Sequence, residues 1–178
     1  MTAPSEALEL NVSELRLVAR YAAEAAQDVL PLFAAAHPDD LRPHDAVAAA
    51  WAFAEGARRT DLQRVTSMQA HRAAKQARTQ VAKHAAHAAG DAAAAAYLHP
   101  IAQATQVGHI LRAAAHAACA LELADDGDAD AAERCLDAAR RRATPELIRV
   151  LARYPPAPTG GNRVAALMKA LDTTLRRG

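Results

Sequence analysis

Thr105, His109, Arg112 and His116 recur at steps of four, three and four, so on a helix turning 100° per residue they fall within about 60° of one another. This stripe of a hydroxyl, two imidazoles and a guanidinium reads as a solvated face or as a polar groove that takes a ligand or partner. Flanked by alanines, it can equally be satisfied inside a contact between helices. His99 and Gln106 share the segment "YLHPIAQATQVGHIL", so the candidate partner- or ligand-binding set is His99, Thr105, Gln106, His109, Arg112 and His116.

A metal site needs more than this stripe. Two histidines at i and i+7 on one helix cannot share an ion unless a facing helix adds ligands, for example His71 or His87 joined to His109 and His116. His84 and His87, at i and i+3, are better spaced, but Lys83 beside them and an expected helix end nearby read as a solvated surface. Cys119 and Cys135 form no C-x-x-C pair and read as small buried hydrophobes. Asp126, Asp128 and Asp130 alternate like a calcium loop, yet Ala131 stands where that loop needs glycine and Asp137 where it needs a bidentate glutamate. No metal ligand and no cofactor is assigned.

Nor is a catalytic residue. The sequence has no Gly-rich phosphate loop and no nucleophile elbow, and its 178 residues include only three serines.

The elements that must position these groups are helical. Alanine, the strongest helix former, dominates the composition, whereas the chain has 7 Gly, 2 Phe, 3 Tyr and 1 Trp. Alanine buries little area, so stability must come from close approach of helices over long contacts. The class expected is all-α, a single compact bundle of about six to eight helices over residues 11–176 behind a tail at 1–10.

Asn11 and Glu14 are spaced as a capping box for a first helix from Val12, which Pro31 should kink or end. A second helix, with Pro43 in its first turn, runs to Glu55 and stops at Gly56. A third, long helix is expected from Asp61 to Ala89, ended by Gly90, with Asp91 capping the next segment. That segment should break or bend at Pro100, with His99 turned toward Thr105 and Gln106, and continue to Ala124. Asp128 or Asp130 then caps a helix to Arg142. "TPELIRVLARY" starts another, and Val164, Leu167, Met168, Leu171 and Leu175 mark a final amphipathic helix.

Charge narrows the partners. Seven basic residues between Arg58 and Lys83 face Asp61 alone, and Arg64, Arg72, Lys75, Arg78 and Lys83 would share one face of a continuous helix. The net charge is only +1, however, and no aromatic residues interleave with the basic ones, so nucleic acid is not favoured. The longest stretch free of Asp, Glu, Lys and Arg, Ala92 to Leu111, carries His99, Pro100, Gln103, Gln106 and His109 and would partition poorly into lipid. With no signal peptide read in "MTAPSEALEL", a cytoplasmic protein is expected.

The stretches "PDDLRPHDAVAAAWAFAEG", "MQAHRAAKQA", "AAAAAYLHPIAQATQVGHILRAAAHAA", "RATPELIRVLARYP" and "GGNRVAALMKALD" carry a resemblance. Together, over about residues 10 to 176, they resemble a group of actinobacterial immunity proteins that share an immunity-five-like helical domain and whose role is inferred from gene neighbourhood. The most specific motif is Tyr97, His99, Pro100, Thr105, Gln106 and His109. His44 stands where the group more often has arginine. The resemblance implies a binding protein that neutralises a cognate toxin made by the same cell. The competing class is a helical-bundle enzyme, or a metal- or small-molecule-binding protein, using histidines from facing helices.

Overall fold

The computed structural model describes residues 8–178; the expected tail at 1–10 lies mostly outside them. Eight α-helices are joined by short connections: α1 (Val12–Ala36), α2 (Arg42–Ala54), α3 (Asp61–Gln76), α4 (Gln80–Ala94), α5 (Val107–Ala124), α6 (Ala129–Arg142), α7 (Pro145–Ala152) and α8 (Arg163–Arg177). There is no strand among the described residues, and the all-α class holds.

The helix starts follow side-chain chemistry. The Asn11 carboxamide accepts from the Glu14 N–H while Glu14 accepts from the Asn11 N–H, which closes the capping box. Asp128, Thr144 and Asn162 cap α6, α7 and α8 with a side-chain oxygen alone, accepting from the Asp130, Leu147 and Ala165 N–H groups. Pro31 removes one donor from α1 without ending it, because buried Val29 and Phe33 on either side hold both halves to the core.

The long third helix is two helices. Ala77 turns extended (φ −65°, ψ 139°), and Thr79 caps α4 by accepting from the Ala82 N–H at 3.1 Å. His37 Nε2 accepts the Arg78 N–H in the turn between them at 3.1 Å. The chain thus reverses at residues 77–79, well before Gly90. Gly90 and Asp91 lie within α4, not at its boundary, and both are buried. As a result Lys83 belongs to a different helix from Arg64, Arg72 and Lys75, and the expected continuous basic face does not exist.

α1, α4 and α5 form the centre, with α3, α2 and α8 laid against them. Ala85, Ala86, Ala89 and Ala93 of α4 and Ala114, Ala117 and Ala118 of α5 are at most 1% exposed. Side chains this small let the backbones approach closely, and that closeness lets long polar side chains on one helix reach the next.

The joint between α4 and α5 uses much of the family-like motif. After a 3₁₀ turn (Ala95–Tyr97) the chain runs extended through Pro100 and re-enters helix by a second 3₁₀ turn (Ala104–Gln106). The buried Gln106 carboxamide accepts the His99 N–H at 3.0 Å, so His99 does meet Gln106, and Tyr154 donates its hydroxyl to the His99 carbonyl at 2.9 Å. Tyr97 donates to the Thr60 carbonyl at 2.7 Å and lies under the Arg59 guanidinium. Pro100 accepts from the Leu8 N–H. These residues fix where α4 ends and α5 begins, and thereby which α5 side chains face α4.

Candidate functional site

Four histidines from three helices form one cluster, and two of them stand beside a buried carboxylate. His71 comes from α3, His84 and His87 from α4, and His116 from α5. His71 Nδ1 lies 2.8 Å from His87 Nδ1, and His84 Nδ1 lies 2.9 Å from His116 Nδ1. The His87 and His116 rings stack with centroids 5.0 Å apart, which joins the two pairs into one chain of imidazoles. Asp91, on α4, is 5% exposed. His71 Nε2 stands 3.7 Å from its Oδ1, His116 Nε2 3.6 Å from its Oδ2, and Arg112 Nη1 3.7 Å from Oδ1. These distances exceed hydrogen-bonding range, and Oδ2 has no hydrogen-bond partner among the described residues.

Two glycines make the arrangement possible. A Cβ on Gly90 would stand 2.7 Å from His71 Nε2, and one on Gly108 only 1.8 Å from an Arg112 guanidinium nitrogen. Glycine inside a helix costs about 1 kcal/mol relative to alanine. In a chain so rich in alanine, Gly90 and Gly108 therefore mark places where a polar side chain lies flat on a helix backbone.

Electrostatics follow from burial. Loss of solvent pushes the Asp91 carboxyl up to about 7, against the opposing pull of Arg112. Burial lowers His71 and His84, takes His87 to about 4 and His116 to about 2, with neighbouring imidazoles and Arg112 adding to the effect on His116. The cluster is thus neutral imidazole at pH 7, and its contacts to Asp91 are dipolar rather than ion pairs.

With Asp91 ionised, one proton distribution suits every contact. An imidazole facing a carboxylate with a bare Nε2 lone pair would be repelled, so His71 and His116 carry their proton on Nε2. Their Nδ1 atoms are then acceptors. His87 and His84 must be the Nδ1–H donors, which leaves the Nε2 of each of these two rings unprotonated.

The cluster borders an open cleft of about 400 Å³ between α4, α5 and the start of α8. Lys83, His84, His87, Arg112 and His116 line one side, and Cys119, Val164 and Met168 give it an apolar wall. Cys119 and Cys135 are both free thiols, and burial raises both. Among the described residues no three His, Cys, Asp or Glu side chains converge so as to hold one metal ion.

The residues singled out in sequence separate into two places. Arg112 and His116 join the cleft. His109, a turn earlier on α5, lies largely buried beside the Ala94 carbonyl, and burial takes it to about 4. Gln106 and His99 belong to the helix joint, and Thr105 is exposed next to it. His84 and His87 are not a solvated surface, as their neighbourhood to Lys83 had suggested, but half-buried partners of His116 and His71. Asp91 was read only as a cap. Its signal was present in the sequence as the one carboxylate in a long alanine tract, at i+4 from His87 and i+7 from His84.

A family model described as Imm-5 like putative immunity protein matches residues 9–144. The chain belongs to that family. No curated protein and no solved structure matches it. The matched span contains His71, His84, His87, Asp91, Arg112 and His116 but ends before α8, which closes one side of the cleft. No helix of the described residues is long and apolar enough to cross a membrane.

Gly90→Ala sets helix propensity against this geometry. Propensity alone predicts a gain of about 1 kcal/mol; the collision with the His71 ring predicts a net loss of stability and a displaced imidazole. Urea unfolding with His71 ring NMR measures both, and a stabilised variant with unchanged His71 resonances would contradict the packing described.

Stability should also fall on mild acidification. The folded-state pKa values of His71, His84, His87, His109 and His116 lie below the 6.5 of free imidazole, so between 6.5 and about 5 the unfolded chain binds more protons at these five sites. Asp91, raised from 3.8 to about 7, works in the opposite direction as a single group. The net expectation is a urea midpoint that declines from pH 7 to 5; a midpoint that rises across this range would contradict it.

Proposed function

We propose that this protein neutralises a cognate bacterial toxin by binding it, and that the cleft between α4, α5 and α8 is part of the contact surface. Membership of the immunity family supports the role. The observation that carries the site is Arg112: its guanidinium lies over Gly108 at the cleft, its side chain is 43% exposed, and it makes no hydrogen bond within the described residues. Its fork of N–H donors is therefore available to a partner.

A second surface feature, on α3, suits a protein partner. Leu62, Val65 and Met68 recur every third residue on α3 and are 51%, 45% and 48% exposed, and further along the same helix come Arg72 and Lys75. Exposed apolar side chains grouped along one ridge, bordered by charge, are what a protein contact buries. Of the residues first nominated, Arg112 and His116 are proposed as direct contacts. His99, Gln106 and His109 are proposed to act through the α4–α5 joint, with Thr105 at its exposed edge. On this reading the protein acts in the cytoplasm of the cell that makes the toxin.

A second reading has one observation in its favour. A carboxylate, an imidazole and a second imidazole stand in series toward an open cleft (Asp91, His116, His84), 3.6 and 2.9 Å apart, and closure of the first gap to hydrogen-bonding distance would make them a relay for general-base catalysis. Turnover of a small molecule that disappears in His84→Ala with the fold intact would favour this enzyme reading over toxin binding.

Co-expression with each product of the adjoining genes tests the proposal. The protein should rescue growth against one of them, and Arg112→Glu should reduce affinity for that toxin at least about tenfold, roughly 1.4 kcal/mol, with the helical fold retained by circular dichroism. Undiminished affinity in Arg112→Glu would remove the cleft from the interface.

A further inference from the structure

Lys83, Arg112 and Arg163 bring three cationic side chains to the cleft, and none of its lining residues is a carboxylate. Their charges are unequally answered. Glu122 holds Arg163 at 2.7 Å, Asp91 lies 3.7 Å beneath Arg112, and Lys83 has no hydrogen bond or ion pair among the described residues. The first turn of α8 opens on the same space, with Asn162, Arg163, Val164 and Ala165 at its wall. The Asn162 carboxamide caps only the Ala165 N–H, so the N–H groups of Arg163 and Val164 remain as donors at the positive end of a 15-residue helix. The four imidazoles behind them bring no negative charge.

We infer that this cleft receives an acidic side chain of the protein partner, a carboxylate placed between Lys83, Arg112 and the start of α8. This rests on the toxin-binding reading and names the chemistry of its contact. Three features select a carboxylate on a protein over a phosphate of nucleic acid. The cleft is a single concavity rather than a track along the surface. Its apolar wall of Cys119, Val164 and Met168 matches the methylenes that carry a side-chain carboxylate. No aromatic ring lies among its lining residues for a base to stack on.

The test uses the full-length protein and a capped penta-glutamate peptide, with capped penta-glutamine and inorganic phosphate as comparisons, followed by amide and arginine side-chain NMR. The glutamate peptide should give saturable shifts at Lys83, Arg112, Arg163 and Val164, weakened at least fivefold in Lys83→Gln and in Arg112→Gln. Arg64→Gln, which alters an exposed arginine paired with Asp61 away from the cleft, should leave the affinity unchanged. Absence of saturable shifts, equal binding of the glutamine peptide, or equal weakening by Arg64→Gln would overturn the inference. So would phosphate that binds the same residues more tightly than the glutamate peptide. Toxin rescue separates the two claims. Full protection by the Lys83→Gln and Arg112→Gln variants would leave the immunity role standing and this contact refuted, whereas peptide binding without any rescue would do the reverse.

Discussion

A carboxylate removed from water inside an alanine-packed helix pair is the constraint around which the site is built. Asp91 cannot be satisfied by its own helix, and water reaches it poorly. Its neighbours are therefore imidazoles from α3 and α5 together with Arg112. Each imidazole can point a donor at it while staying neutral. Because burial also disfavours imidazolium, the solution is a nearly neutral polar core, not a set of buried salt bridges. Neutrality has a consequence for function. The positive character of the cleft comes from Lys83, Arg112, Arg163 and the α8 terminus, while the histidines act as a polar floor that neither repels nor captures a charge at pH 7.

Alanine and glycine supply the geometry. Where α4 and α5 meet through alanine alone, the backbones are close enough for His84 to reach His116 directly. Where a ring or a guanidinium must lie on the backbone, even alanine is too large, and Gly90 and Gly108 take its place. The joint at residues 95–106 sets the rotational register of α5. Gln106 holds the His99 N–H and Tyr154 the His99 carbonyl, which ties the start of α5 to the rest of the bundle in the arrangement that brings His116 to α4. The most distinctive stretch of the sequence therefore works at one remove from the cleft.

Much of the fold was legible because caps and prolines are local signals. Asn11, Thr144, Pro43 and Pro145 marked their helices correctly, and Pro100 marked the break between α4 and α5. The turn at 77–79 was not legible, since it contains neither Gly nor Pro and announces itself only through the Thr79 hydroxyl. That omission carried further. With α3 and α4 merged, Gly90 read as a terminus and His84 and His87 as solvated, when reversal of the chain at Ala77 folds His71 back onto His87. Half of the cleft, Arg112 and His116, was visible from helical periodicity on α5. The other half, on α4, depended on a tertiary contact that no periodicity encodes.

Long-range ¹⁵N–¹H NMR of the imidazoles at pH 8, where Asp91 is charged, tests the central claim that this carboxylate organises the cluster. It should find all four rings neutral, with His71 and His116 protonated at Nε2 and with His84 and His87 in the rarer Nδ1–H form. Four Nε2–H rings, or imidazolium at His87 or His116 at that pH, would contradict it.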